Sequence, residues 1–245
     1  MLTTPPTFSA GSSWGWDSAS CFDRRFEPSI GNAIDAADVD NAVTIPSFSL
    51  LYDYRCPFAR LVHEHVLTAM DQGLELDVSF EPYTLSQGHV EPGHLDAWDD
   101  PAHSPSLLAL EASIAVRDAF PDSFRALHRA LFDARHAQGI ALTTRDQLDP
   151  ILEGVGLDAP RVFDIVETGE PREIIAARWR HYHDDLDVFG VPTFVFDDED
   201  AIFVRLMNGP NPADPQASVT EIERLLDLMV NHVELNEFKH TRLSR

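Results

Sequence analysis

The segment Tyr54-Arg55-Cys56-Pro57-Phe58-Ala59 follows an apolar run, Phe48-Ser-Leu-Leu-Tyr, and precedes a stretch with helical periodicity. A thiol at such a junction is a candidate nucleophile. The first turn of a helix presents unpaired backbone N–H groups and the positive end of the macrodipole, so Cys56 is expected to be an accessible thiol of lowered pKa. Pro57 agrees with this, because its fixed φ suits the first helical turn and its missing N–H costs nothing there. Arg55 is placed to favour a thiolate or an anionic substrate. A free cysteine is more often a small buried hydrophobe, and it is the Cys-Pro context that singles out Cys56. Nothing comparable surrounds Cys21, the only other cysteine.

Far downstream lies Val188-Phe-Gly-Val191-Pro192-Thr193-Phe-Val-Phe196. Proline cannot donate to a sheet ladder, so at the head of an apolar run it belongs at a strand's start. With Cys56-Pro-Phe-Ala after a first strand and Gly-Val-Pro-Thr-Phe before a late one, the chain resembles the DsbA-like branch of the thioredoxin superfamily. The resemblance runs from about residue 47 to about residue 230. It implies an α/β thioredoxin-like fold with a large α-helical insertion, and a cis Val191–Pro192 bond that brings the Val191 backbone against Cys56. It makes Cys56 the catalytic residue, with Pro57, Phe58, Val191, Pro192 and Thr193 as the substrate- or thiol-binding set, to which Arg55 is added from its place beside Cys56. One departure matters. Redox members use Cys-x-x-Cys, and the fourth position here is Ala59, so the motif has no resolving thiol.

These residues need elements to hold them. Alternation and turn signals predict strands over 47–54 and 76–83, with a helix over 57–72 between them, closed by Gly73 as a left-handed cap. Residues 84–105 read as a long loop, functional or mobile, carrying His89, His94 and His103. Five helices are then expected. One lies around Leu107–Val116 and a second around Phe124–Phe132; a third opens with the capping-box spacing Thr144-x-x-Gln147, a fourth follows Asp158 and Pro160, and a fifth covers 172–187. Strands over 193–196 and 201–206 and a helix over 218–232 complete the pattern. The resulting division is an N-terminal extension, loosely ordered, over 1–45, a thioredoxin-like first part over 46–100, a helical insertion over 101–188, a second part over 189–235 and a tail over 236–245.

Composition narrows the classes of function. The 245 residues are 44% hydrophobic, enough for one substantial core. A formal net charge of −23 repels phosphate backbones and anionic lipid, so nucleic acid and membrane are excluded as partners. The opening residues lack the basic start and apolar run of a secretory signal, and two cysteines make no disulfide framework. Both suggest a cytoplasmic protein. His63 and His65 diverge by about 200° on a helix and cannot chelate one ion; His181 and His183 fail alike, and no metal site is expected.

Three classes of function stay open. In the preferred one, Cys56 works as a monothiol oxidoreductase or transferase, with an external low-molecular-weight thiol such as glutathione or mycothiol as co-substrate and no tightly bound cofactor. The partner is then a small thiol or disulfide, or a protein disulfide, with a homo-oligomer left open. The second is a glutathione-type isomerase or transferase related to 2-hydroxychromene-2-carboxylate isomerase, in which serine commonly replaces the cysteine. The third is a non-catalytic binding or redox-sensing protein. Cys21, in a flexible extension, would matter only if it reached Cys56 as a resolving thiol.

Overall fold

A computed structural model describes residues 45–197, 199–237 and 239, so the extension, with Cys21, lies outside the described residues. Among these, strand β1 (Phe48–Tyr52) leads through helix α1 (Pro57–Asp71) to β2 (Val78–Pro82). Helices α2 (Ser104–Ala119), α3 (Pro121–His136), α4 (Arg145–Gly154), α5 (Ala159–Val166) and α6 (Glu170–Arg180) follow. Strands β3 (Thr193–Phe196) and β4 (Asp200–Phe203) and helix α7 (Gln216–Asn231) close the chain. The sheet order is β2-β1-β3-β4, with β1 and β2 parallel and the other pairs antiparallel. Helix α1 is the crossover that a parallel pair requires. No helix among the described residues is long and apolar enough to cross a membrane.

β1 is one of the two inner strands and is buried on both faces, with Phe48, Leu50, Leu51 and Tyr52 all in the core. Leu50 pairs with Phe80 on one side and Phe194 on the other, which fixes the level of the following Cys56 against both neighbours. Helix α1 stops where Gly73 takes φ +95°, a conformation that only glycine adopts cheaply. The Leu74 N–H reaches Ala69 O (3.0 Å) and the Gly73 N–H reaches Met70 O (3.1 Å), the paired bonds of a Schellman cap.

Some boundaries depart from the sequence reading. The expected third helix begins after Thr144, but the Thr144 hydroxyl makes no capping bond; Gln147 Oε1 instead accepts the Thr143 N–H at 2.8 Å, one residue early. The expected fifth helix is broken: α6 ends at Arg180 and a five-residue π turn, His181–Asp185, follows. Asp187 then takes φ +55° and the Val188 N–H returns to Tyr182 O at 2.9 Å, turning the chain toward Pro192. Loop 84–105 is tied by its own bonds, with Gln87 bridging the Asp96 carboxylate (2.8 Å) and the Ala97 N–H (2.6 Å).

A buried polar chain joins the helical block to the sheet. Leu51 O can only accept, so His63 Nε2 (3.3 Å) carries a proton; the neutral ring then accepts at Nδ1 from His128 Nε2–H (2.9 Å). His128 Nδ1 in turn accepts the Tyr54 hydroxyl proton at 2.8 Å. One direction of donation thus runs from Tyr54 through α3 and α1 to β1. Alongside it, the Tyr52 hydroxyl donates to Ser113 Oγ (2.9 Å), which donates to Leu110 O (2.8 Å). Burial disfavours the charged rings, lowering His63 from 6.5 to about 3 and His128 well below its ordinary value.

Both folded-state values lie below the ordinary 6.5, so below that pH the unfolded chain takes up protons that the folded chain refuses. This stabilisation is complete above about pH 6.5 and is lost as pH falls toward 3, with a slope of at most ~1.4 kcal/mol per pH unit for each histidine. Denaturant titrations at pH 7.5 and pH 5 should therefore show a marked loss at the lower pH. His128→Leu should reduce the slope by one proton's share, while costing about 1–3 kcal/mol at pH 7.5 through the unpaired Tyr54 hydroxyl. Equal pH slopes in the two proteins would contradict the assignment.

Candidate functional site

Cys56 occupies the N-cap of α1 with an extended backbone (φ −86°, ψ 115°), and Pro57 opens the first turn. Its sulfur accepts the Ala59 N–H at 3.4 Å. Across from it the Val191–Pro192 bond is cis, and Cys56 Sγ–H points at Val191 O from 3.2 Å. The two motifs therefore meet at the sulfur. Pro57 is exposed and Phe58 half-buried beside it. Thr193 is used internally: it is buried, and its hydroxyl donates to Gly190 O at 2.7 Å, shaping the loop rather than facing a ligand.

The expectation of an accessible, low-pKa thiol is corrected. Cys56 is only 7% exposed, and burial pushes its pKa above the ordinary value. The N–H groups of Ala59 and Phe58 and the charge of Arg205 pull it down, the Asp53 carboxylate pushes it up, and desolvation outweighs the rest. The S–H to Val191 O bond adds to this, because an acceptor facing the thiol favours the protonated form. Helix N-cap geometry is present. It is overbalanced by loss of water.

Arg55 is paired rather than free, with its side chain 30% exposed. Asp53, 1% exposed, accepts the Arg55 backbone N–H (2.8 Å), Nε (3.2 Å) and Nη2 (2.8 Å), and its second oxygen also takes the Leu85 N–H at 2.8 Å. The carboxylate locks the turn before Cys56 to the loop after β2 and takes the Nε and Nη2 donors of the guanidinium, leaving Nη1 unbonded among the described residues. The cation that acts on the sulfur is Arg205, two residues beyond β4. Its Cζ lies 4.5 Å over the Phe58 ring and 5.7 Å from the Phe203 centroid. Phe189, 74% exposed, lies 5.0 Å from Phe203, so an aromatic strip runs from the Pro192 loop past Arg205 to Phe58.

Asp53, Arg205, Phe189 and Phe203 were missed in the sequence because no motif marks them. An aspartate three before a Cys-Pro and an arginine after a late strand are each commonplace. The loop histidines do not reach the sulfur by hydrogen bond; His103 pairs with Asp100 at 3.1 Å. His63 and His65 leave α1 toward different neighbours, His65 toward Ser218 (3.1 Å) and Asn208 O (3.2 Å). Among the described residues, no three His, Cys, Asp or Glu side chains converge as a metal-binding set. A cleft of about 250 Å³ opens beside Arg55 against Leu110, Arg135 and Leu142. A larger groove of about 720 Å³ lies along α3 and α4 and is lined by none of the motif residues.

The loop bearing Pro192 is held from behind. The Tyr83 hydroxyl donates to Val188 O at 2.7 Å while its ring stacks on Trp179, and the Val204 N–H bonds Pro192 O at 3.2 Å. This sheet, crossover helix and inserted helical block agree with the thioredoxin-like fold expected from the two motifs.

Comparison with known proteins bears on the same region. A crystal structure of a single-residue variant of Pseudomonas aeruginosa DsbA is 16% identical, covering 79% of this chain and 90% of that one, with a TM-score of 0.48. Reduced DsbA1 from Neisseria meningitidis is 18% identical over 77% and 86% of the two chains, with a TM-score of 0.47. A thioredoxin-like oxidoreductase from Silicibacter pomeroyi is 21% identical over 73% and 86%, with a TM-score of 0.46. A search of curated protein sequences finds no significant match. The family model of the DSBA-like thioredoxin domain matches residues 49–212, from β1 through the Pro192 loop and past β4, and the chain belongs to that family.

Proposed function

We propose that the protein is a thiol–disulfide oxidoreductase or transferase that works as a monothiol through Cys56, in a reducing compartment that supplies an external low-molecular-weight thiol. The observation that carries this reading is the Cys56 sulfur 3.2 Å from Val191 O, beside a cis Pro192, with Ala59 where a second thiol would stand. Deprotonated Cys56 forms a bond to one sulfur of a disulfide, and the old S–S bond breaks. The other sulfur leaves with the electron pair and takes up a proton. An external thiolate then attacks the mixed disulfide at the substrate's sulfur, returning Cys56 as thiolate. Ala59 is fully buried in the first turn of α1 and offers no atom for that second attack. The expected co-substrate is glutathione or mycothiol, and the substrate a small or protein disulfide. Pro57, Phe58 and the Val191 backbone form the surface on which it would lie.

The near-burial of the sulfur favours a second reading, a non-catalytic binding or redox-sensing protein. Incubation with glutathione disulfide, followed by intact-mass analysis, separates the two. The first reading expects an adduct that is lost in Cys56→Ser and released by added thiol. Absence of any adduct in the wild-type protein would leave the second.

Two outcomes follow from the geometry. In a Cys21→Ala background, the pH midpoint of Cys56 alkylation should lie above the free-cysteine value of about 8.5. A midpoint at or below it would show that the helix N-terminus outweighs burial. With pre-reduced protein and no added thiol, stoichiometric reduction of insulin by the wild type should be weak, and Ala59→Cys should raise it by about an order of magnitude or more as its own two thiols are oxidised to a disulfide. Efficient stoichiometric exchange by the pre-reduced wild type, unsupported by added thiol and abolished by Cys21→Ala, would instead identify Cys21 as the resolving thiol.

A further inference from the structure

We infer that Arg205 selects carboxylate-bearing thiols and disulfides for reaction at Cys56, so that the small-molecule partner of this site is an anionic one. The inference rests on the monothiol reading and names the substrate class of that site.

Position is the first argument. Val204 is bonded to Pro192 O, so the backbone next to Arg205 is fixed to the loop that contacts the sulfur. The second is preorganisation. The guanidinium carbon lies over Phe58 at 4.5 Å and near Phe203 at 5.7 Å, and no hydrogen bond to a described residue occupies its N–H groups, which leaves them for a carboxylate fork. The third is that its charge is uncompensated. In a chain of formal net charge −23, acidic partners engage Arg55 (Asp53), Arg60 (Glu64), Arg117 (Glu81) and Arg172 (Glu111). No carboxylate pairs with Arg205 among the described residues, although it stands exposed in that acidic surface.

The distributed charge and the local cation make opposite demands. A net charge of −23 draws cationic reagents to the molecule, whereas Arg205 draws anionic ones to the sulfur. At about 0.1 M salt the Debye length is about 10 Å, so the distributed field is screened and a contact pair survives.

The test uses full-length Cys21→Ala protein and three small disulfides of different charge: 3,3′-dithiodipropionate (anionic), bis(2-hydroxyethyl) disulfide (neutral) and cystamine (cationic). Rates of mixed-disulfide formation at Cys56 are followed by intact mass at fixed pH and about 0.1 M salt. The neutral reagent reports the reactivity of the sulfur itself, so each charged rate is read relative to it. The anionic-to-neutral ratio should fall about three- to tenfold in Arg205→Gln, and Arg205→Lys should recover part of it. Equal changes in all three rates would mean that Arg205 acts only through the thiol, which overturns the selection while leaving the monothiol reading intact. No adduct with any reagent in the parent protein would overturn both.

Discussion

The Cys56 sulfur and the Val191 carbonyl, 3.2 Å apart, come from segments 135 residues apart in the chain, and much of the described structure keeps them in register. Strand β1 sets the height of the cysteine and β3 that of the proline, and the two strands pair directly, Leu51 opposite Thr193. Because the strands are neighbours, an error of one residue in their register would move every side chain to the other face. The contact is therefore a consequence of the central pairing. The closing bonds from Tyr83 to Val188 and from Val204 to Pro192 fix the remaining freedom of the loop.

The same closeness sets the state of the thiol. A helix N-terminus stabilises a thiolate only to the extent that its N–H groups win over the water removed from the sulfur. Here a half-buried phenylalanine and the Val191 backbone take that water's place, and one of the nearest polar atoms is a carbonyl, which prefers S–H to S⁻. A substrate that lies along the Pro192 loop would compete for the same backbone. Resting-state burial and reactivity in a complex are thus compatible, since displacing the S–H from Val191 O also removes an interaction that holds the proton.

The sequence made the local parts of this arrangement legible. Proline at the first turn of α1, glycine with a positive φ at its end and proline at the head of β3 each act through their own backbone, so their meaning does not depend on distant residues. The missing second thiol at Ala59 was equally plain. The partners that decide the chemistry were not, because each depends on the fold to bring it near. Asp53 matters through Leu85, and Arg205 through Phe58. His63 was read as a residue with no ligand to share with His65. What it does instead requires His128, on a helix whose contact with α1 no short-range pattern encodes. Arg55 was read from adjacency alone, and Asp53 two residues earlier cancels it.

Those long-range polar partners share one design constraint. A helical block inserted into a sheet protein must bury the seam between them, and at this seam the side chains include two histidines and two tyrosines. Such groups are tolerable in a core only when each donor meets an acceptor. The chain from Tyr54 to Leu51 meets that condition with neutral rings, at the cost of admitting no proton. Asp53 meets it with charge, saturated by Arg55 and the Leu85 N–H. The difference decides where charge is free to act near Cys56. With the seam neutral and Arg55 matched to Asp53, Arg205 is the cation that pulls the Cys56 pKa down, and no carboxylate among the described residues pairs with it.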